Sequence, residues 1–326
     1  MRAEAPKSLA QGFTGTSLHG LHELYMLNGS KRSNAIAVAL CLPLLLAGCG
    51  GKPGAADYPS AKWFPRLADG GMEKGRAGKK IDLVVLYTTE HPADYARKYW
   101  RELDVLSGHY IVTGKGEVWQ MLRDSDTGWH AGNREFNRRS IAIAVEGYAD
   151  LQSPLNPTKD LSWQTPEEVE SLARLIRWLC ERYGIPVDRA HIIGKNQVPG
   201  VRTESFPRSG PQYWGGAGNK SSPGASWDWG RLMEKLGRRP VWRSLSVLSN
   251  CPITTLPEAA APVILLASVG KELQAYDSCG GYWLVLVTEP GVPQPNLPSG
   301  RYHWDGWIDK RCVTELSTTG RRAGSQ

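Results

Sequence analysis

Ile192-Ile193-Gly194-Lys195-Asn196-Gln197-Val198-Pro199-Gly200 reads as a short apolar strand that runs into a polar turn closed by Pro-Gly. That reading places residue 195 at a strand end, where binding and catalytic groups usually sit. The residue there is a lysine.

Working outward, the strand is preceded by the best-marked helix of the chain. Thr165 is its N-cap, Pro166 suits the first helical position, and Glu168 completes a capping box. Val169, Leu172, Ile176, Leu179 and Tyr183 recur on one face, and Gly184 with Pro186 stops the helix. Further upstream, 81–87 (IDLVVLY) is an apolar, β-branched run of the kind found in buried strands. Residues 92–103 predict a short amphipathic helix. The runs 109–113 and 117–121 flank Gly114-Lys115-Gly116 as a hairpin, and 140–145 (SIAIAV) predicts another strand. Strands of this kind with two or more covering helices make the region an α/β domain with a mixed sheet, expected over 77–238.

Beyond Arg238-Arg239-Pro240 the texture changes to short strands with turn signals about ten residues apart. Val263–Ala267, Leu273–Tyr276, Tyr282–Val287 and Gly306–Asp309 predict a small all-β barrel over 241–316, followed by a tail over 317–326.

The N-terminus carries a different message. Lys31-Arg32 is a positive n-region, and Ala35 to Leu46 is an apolar run too short for a comfortable membrane span. Leu46-Ala47-Gly48-Cys49 follows and resembles a bacterial lipobox, which implies cleavage before Cys49 and acylation of its thiol. Residues 1–25 precede an otherwise ordinary signal, and Met26 is a candidate start. Residues 1–48 are thus expected as extension and signal, and 49–76, rich in Gly, Pro and Ala, as a flexible tether. The expected location is the cell envelope, on the periplasmic face of the outer membrane, because nothing after Cys49 marks inner-membrane retention.

Hydrophobic content of 41% and charge of 22% exclude a disordered chain. The net charge is +7; Arg2, Lys7, Lys31 and Arg32 stand against Glu4 and Glu23 in the first 48 residues, leaving +5 for a chain that starts at Cys49. Such a charge suits an anionic partner without choosing one. Export to an oxidising compartment makes the cysteines informative. Cys251 and Cys312 bracket the all-β region and are the expected disulfide, with Cys279 left over or taking one of their places. Cys180 is expected as a buried thiol on the amphipathic helix.

Five motifs occur in series: 84–90 (VVLYTTE), 107–110 (SGHY), 129–133 (WHAGN), 139–143 (RSIAI) and 222–229 (SPG…WDW). Together they resemble the zinc N-acetylmuramoyl-L-alanine amidases of type 2, which share a fold with peptidoglycan recognition proteins. The resemblance covers about residues 80–236. It implies a hydrolase cutting the amide between the muramic-acid lactyl group and the first alanine of the peptidoglycan stem. It also implies a zinc ion with three protein ligands and an open position for water. The all-β region resembles a bacterial SH3-like domain with a Gly-Trp-Ile closing strand. Its aromatics Tyr282, Trp283, Trp304 and Trp307 suit either peptide binding or core packing.

Matched residue by residue, the family's three zinc-ligand positions hold Tyr87, Lys195 and Ser222, and the proton-transfer glutamate is replaced by Ala144. An ammonium, a phenol and a neutral hydroxyl are poor zinc donors. The reading is therefore a peptidoglycan- or muropeptide-binding envelope lipoprotein that has lost zinc and catalysis. No nucleic-acid partner is implied. The Lys195 ammonium is expected where the metal charge would be, hydrogen-bonded to the Tyr87 and Ser222 hydroxyls. Lys220 matches a position where some relatives place a catalytic lysine or histidine, and Trp129, His130 and Asn133 are expected on the cleft wall. Four alternatives stand beside this: an active amidase with an altered zinc site built from His91, His109, His130 or His191; a Ser222–Lys195 nucleophile pair; a lysine simply solvated at a strand end; and a scaffold whose amidase fold contacts another envelope protein and no longer binds glycan.

Overall fold

The computed structural model describes residues 54–67, 70–102, 107–149, 164–198, 222–224, 227–261, 263–287 and 304–316, all within the compact unit Gly50–Gln326. The signal segment, Cys49, Lys220 and the tail after 316 lie outside the described residues.

A mixed six-stranded sheet forms the first layer, in the order β1 (Lys62–Trp63), β5 (Val118–Gln120), β4 (Tyr110–Val112), β7 (Ser140–Val145), β3 (Leu83–Thr88), β8 (Ile192–Gly194). β4, β7, β3 and β8 run parallel, β5 returns antiparallel as the hairpin partner of β4, and β1 adds a parallel edge. Every residue of β3 and β7 is buried, as a strand covered on both faces requires. The strand period of two sends Val84 and Leu86 to one face and Val85 and Tyr87 to the other.

On the first face, α3 (Pro166–Tyr183) and α4 (Trp229–Lys235) pack through Leu172, Leu175, Ile176, Leu179 and Leu232. Burial of each such side chain stabilises by about 1.5–3 kcal/mol. Thr165 caps α3 by accepting the Glu168 N–H, and Gly184 ends it in the left-handed region. The expected capping box is only half formed, because the Glu168 side chain is drawn into the interior beside Glu146. On the second face, α1 (Ala93–Glu102) covers Tyr87, Ala142 and Ala144 with Ala93, Ala96 and Trp100. A short helix, α2 (Arg134–Arg139), leads into β7.

Of the expected tether 49–76, residues 54–67 and 70–76 are built into this domain instead. Tyr58 packs on Trp178 at 5.2 Å, Asp57 accepts the Asp124 N–H and a Gln120 amide N–H, and Phe64 meets Trp119 edge-on. The buried Arg76 guanidinium donates to the carbonyls of Asp124, Arg138 and Ser140. β2 (Met72–Glu73) pairs with β6 (Thr127–Gly128). Aromatic and charged anchors spaced through a Gly- and Pro-rich stretch hold it down against what its composition suggests.

The remaining strands are β9 (Arg243–Val247), β10 (Cys251–Thr254), β11 (Val263–Ala267), β12 (Glu272–Cys279), β13 (Tyr282–Val287), β14 (Trp304–Asp309) and β15 (Val313–Glu315). They form one seven-stranded antiparallel sheet in the order β11-β10-β14-β13-β12-β9-β15 around Leu245, Ile253, Ala275, Val285 and Ile308. Cys251 is bonded to Cys312, with the Cα atoms 6.1 Å apart, while Cys180 is a buried free thiol and Cys279 a half-buried one.

The two sheets meet at the segment around β8. Arg189, fully buried, donates to the Gln197 side chain at 2.8 Å, pairs with Asp305 of β14 at 3.4 Å, and lies over the Trp229 ring at 3.3 Å. Gln197 in turn donates to the Thr255 carbonyl, and Ile193 and Val198 share an apolar cluster with Leu256 and Ala261.

Candidate functional site

The parallel strands β3, β7 and β8 all end at one edge of the sheet, the edge where α/β sheets usually present their ligand-binding groups. The turn Lys195–Gln197 follows β8 there, and the segment 222–224 is laid against it by a hydrogen bond from Asn196 N–H to the Ser222 carbonyl, 2.9 Å. Gly224 makes the close approach feasible: at φ +94° a Cβ would sit 2.2 Å from the Ala149 carbonyl oxygen. Three chain segments thus bring Tyr87, Lys195 and Ser222 to the same strand ends.

Their bonding differs from expectation. The Ser222 hydroxyl accepts the Thr88 N–H at 2.6 Å and lies 2.7 Å from Thr88 Oγ1, so Thr88, and not Lys195, holds it. Thr88 Oγ1 also donates to Glu90, whose carboxylate accepts the Ala149 N–H at 3.1 Å. Glu90 sits at φ +59°, in the left-handed region that side chains rarely adopt. That local conformation accompanies a carboxylate turned back over the strand end.

Tyr87 points away from this group. Its ring stacks between Trp100 (5.7 Å) and His130 (6.3 Å), and its hydroxyl lies where a Cβ at residue 108 would be, so only glycine fits at Gly108. The buried hydroxyl makes no hydrogen bond among the described residues. Burial pushes the phenol well above its ordinary range, which keeps it neutral. Lys195 faces the ring rather than the hydroxyl, with Nζ 5.3 Å from the centroid. Burial lowers the Lys195 ammonium from the usual lysine value, and the Glu90 charge opposes that shift. For Glu90 the order is the same: burial raises its carboxyl, while Thr88, the Ala149 N–H and Lys195 pull it down.

The other expected site residues have structural tasks that the sequence reading did not assign. His130 is buried, with Nδ1 at 3.0 Å from the Gly128 carbonyl and Nε2 at 2.8 Å from Ser140 Oγ. Asn133 caps α2 by accepting the N–H groups of Glu135 and Phe136. Trp129 alone of the three presents its ring to solvent, 42% exposed. Lys220 lies outside the described residues. The residues missed were Thr88 and Glu90; an acidic residue three positions past Tyr87 in a strand-end motif was the available signal.

The donor set at the three matched positions does not fit zinc. It offers a neutral phenol turned into the core, a lysine beside a carboxylate, and a hydroxyl already held by Thr88. His109, His130 and His191 do not offer a ready replacement, and His91 lies against the Tyr95 ring. His109 and His130 have both ring nitrogens engaged, and His191 Nδ1 is paired with Asp188. Among the described residues no three His, Cys, Asp or Glu side chains converge as a metal cluster. Ala144 lies opposite Tyr87 in the β3–β7 ladder, with no carboxylate there to move a proton.

Residues 77–225 match the family model for N-acetylmuramoyl-L-alanine amidase. N-acetylmuramoyl-L-alanine amidase AmiD of Escherichia coli (strain K12) is 26% identical over 155 residues, 44% of this chain and 53% of that protein. The chain therefore spans about half the length of the curated relative it matches. Similar solved structures include a selenomethionine derivative of AmpD (18% identity, 54% of this chain and 94% of that one, TM-score 0.39). Another is the complex of E. coli AmiD with anhydro-N-acetylmuramic acid-L-Ala-D-gamma-Glu-L-Lys (19% identity, 50% and 59%, TM-score 0.34). Over residues 77–225 this chain is thus similar to the type 2 N-acetylmuramoyl-L-alanine amidases.

Proposed function

We propose that the amidase-like domain binds peptidoglycan or muropeptides at the Lys195 edge of its sheet and does not hydrolyse them. The observation that carries this reading is the occupation of the matched zinc positions by a hydrogen-bonded Ser222–Thr88–Glu90 chain and the neighbouring Lys195. The Lys195 ammonium supplies a fixed positive charge for a substrate carbonyl or carboxylate without proton transfer or Lewis-acid chemistry. The exposed Trp129 ring supplies a surface on which a sugar or peptide stacks. Lys220, two positions before Ser222 in the sequence, is the second cation of this proposal, and Tyr87, His130 and Asn133 hold the wall in shape. The family and the name of the E. coli relative supply the ligand class.

In the same proposal, acylation of Cys49 tethers the chain to the periplasmic face of the outer membrane. The C-terminal sheet then serves as an SH3-like module of an envelope protein. Three measurements on purified protein test the reading together: retention on peptidoglycan sacculi, zinc content, and release of stem peptide from muropeptides. Retention without zinc and without release supports it. Stoichiometric zinc with released peptide favours the rival, an active amidase with an altered metal site. Failure to be retained on sacculi removes glycan binding altogether.

A further inference from the structure

A separate cleft lies where α4 and the connector 237–241 meet the C-terminal sheet. It has a volume of about 430 Å³ and takes its walls from α4 (Gly230, Met233), the connector (Arg238, Arg239) and the strands β9, β12 and β13 (Arg243, Tyr276, Asp277, Ser278, Trp283). That volume is in the range that holds a small ligand. Gly230 and Gly237 leave the rim open: a Cβ at Gly237 would meet nothing within 4 Å, and one at Gly230 only the Asp228 side chain.

Charge and aromatic surface are combined in this cleft. Three guanidinium groups reach the cleft from two chain segments, against one lining carboxylate. Arg238 is held at the rim by Asp277 at 2.8 Å. Arg239 has only a loose contact, 4.0 Å from Glu234, and its side chain is 86% exposed. Arg243 pairs with Glu315 at 2.6 Å, with both side chains substantially open to water. The Trp283 ring has Arg243 at 5.4 Å and Lys310 at 4.7 Å, and Trp242 lies tilted against Tyr276 at 5.4 Å. Planar guanidinium forks next to flat rings favour a ligand with an oxyanion at one end and a flat or ring-shaped body at the other.

We infer that this seam cleft is a second binding site, for a small ligand whose carboxylate or phosphate is taken by Arg239 and Arg243 and whose body lies on Trp283. The site is independent of the Lys195 edge. Calorimetric titration of the purified chain with three probes tests it: N-acetylmuramic acid, which joins a carboxylate to a sugar ring; N-acetylglucosamine, the same kind of ring without the carboxylate; and inorganic phosphate.

The expected result is saturable binding of N-acetylmuramic acid, or of phosphate, weakened at least tenfold in Arg239→Ala and in Arg243→Ala. Lys62→Met, on β1 and away from the cleft, should leave it unchanged. Arg239 is exposed, so Arg239→Ala keeps the fold, and an unaltered thermal unfolding curve verifies that. Which probe binds tells whether the anion is a carboxylate or a phosphate. Binding of N-acetylglucosamine as tight as that of the acid would overturn the proposal. So would binding that survives both arginine substitutions, loss of binding in Lys62→Met alone, or no binding of either anion.

Discussion

The Lys195 ammonium lies 5.3 Å from the centroid of the Tyr87 ring, so two residues at matched zinc positions face each other as cation and aromatic face. The third, Ser222, is drawn to Thr88 instead. At this sheet edge the Lys195 ammonium also feels the opposing charge of Glu90, a residue from outside the matched set.

Lys195→Met should make this influence visible. Without the ammonium, the buried Glu90 carboxyl rises further above its ordinary value than it already stands. A carboxyl raised in the folded state gives full stability below its unfolded pKa, and that stability is lost as pH rises through the folded pKa. Urea unfolding should thus show the variant losing about 1–3 kcal/mol relative to the parent at pH 8, and less at pH 5. An equal loss at both pH values would contradict that influence.

Glu168 gives a second pH signature. Burial, with the nearby Glu146 charge adding to it, pushes its carboxyl from 4.5 up to about 9, so the folded state holds a proton that the unfolded chain releases. Stability from this group is complete below pH 4.5 and falls as pH rises towards 9. By pH 7 the loss is about 3 kcal/mol, at roughly 1.4 kcal/mol per pH unit. Glu168→Gln should flatten the melting temperature between pH 5 and 9 and raise it at the alkaline end.

Arg189 and Asp305 form the buried pair that joins the segment before β8 to the C-terminal sheet. Asp305→Ala leaves the guanidinium buried without its counter-charge and should cost about 3–5 kcal/mol. The double variant Arg189→Met/Asp305→Leu should recover much of that loss. Denaturant titration of the three variants gives the comparison, and additive losses would mean that the pair is not coupled.

The Cys251–Cys312 bond closes a loop with a sequence separation of 61. Loop-closure entropy then predicts a loss of about 4 kcal/mol in Cys251→Ser/Cys312→Ser. Reducing agent should lower the parent's stability and leave the double variant unaffected.

Most of the sheet was legible in the sequence because β3, β7 and β8 are unbroken apolar runs and α3 carries both its caps. α4 was missed because seven residues starting Trp-Gly give too little period to detect. β9 alternates Ser with Leu and Val over five residues, a signal that polar flanking residues obscure. Residues 54–67 and 70–76 were misread because Gly and Pro dominate the composition, while the anchoring is done by Asp57, Tyr58 and Arg76 through partners more than 45 positions away. At the site, motif order located Tyr87, Lys195 and Ser222. It could not reveal that the charge of Glu90, 105 positions before Lys195, acts on the ammonium, since that influence exists only once the strand ends converge.

The central claim is that this edge binds a muropeptide without zinc chemistry. The most direct measurement is calorimetric titration of a muramyl tripeptide into chelator-treated protein, with mass analysis of the recovered ligand. The account predicts saturable binding, abolished in Lys195→Met, with the ligand recovered intact. Binding that appears only after zinc is added back, or recovery of free tripeptide, would contradict it.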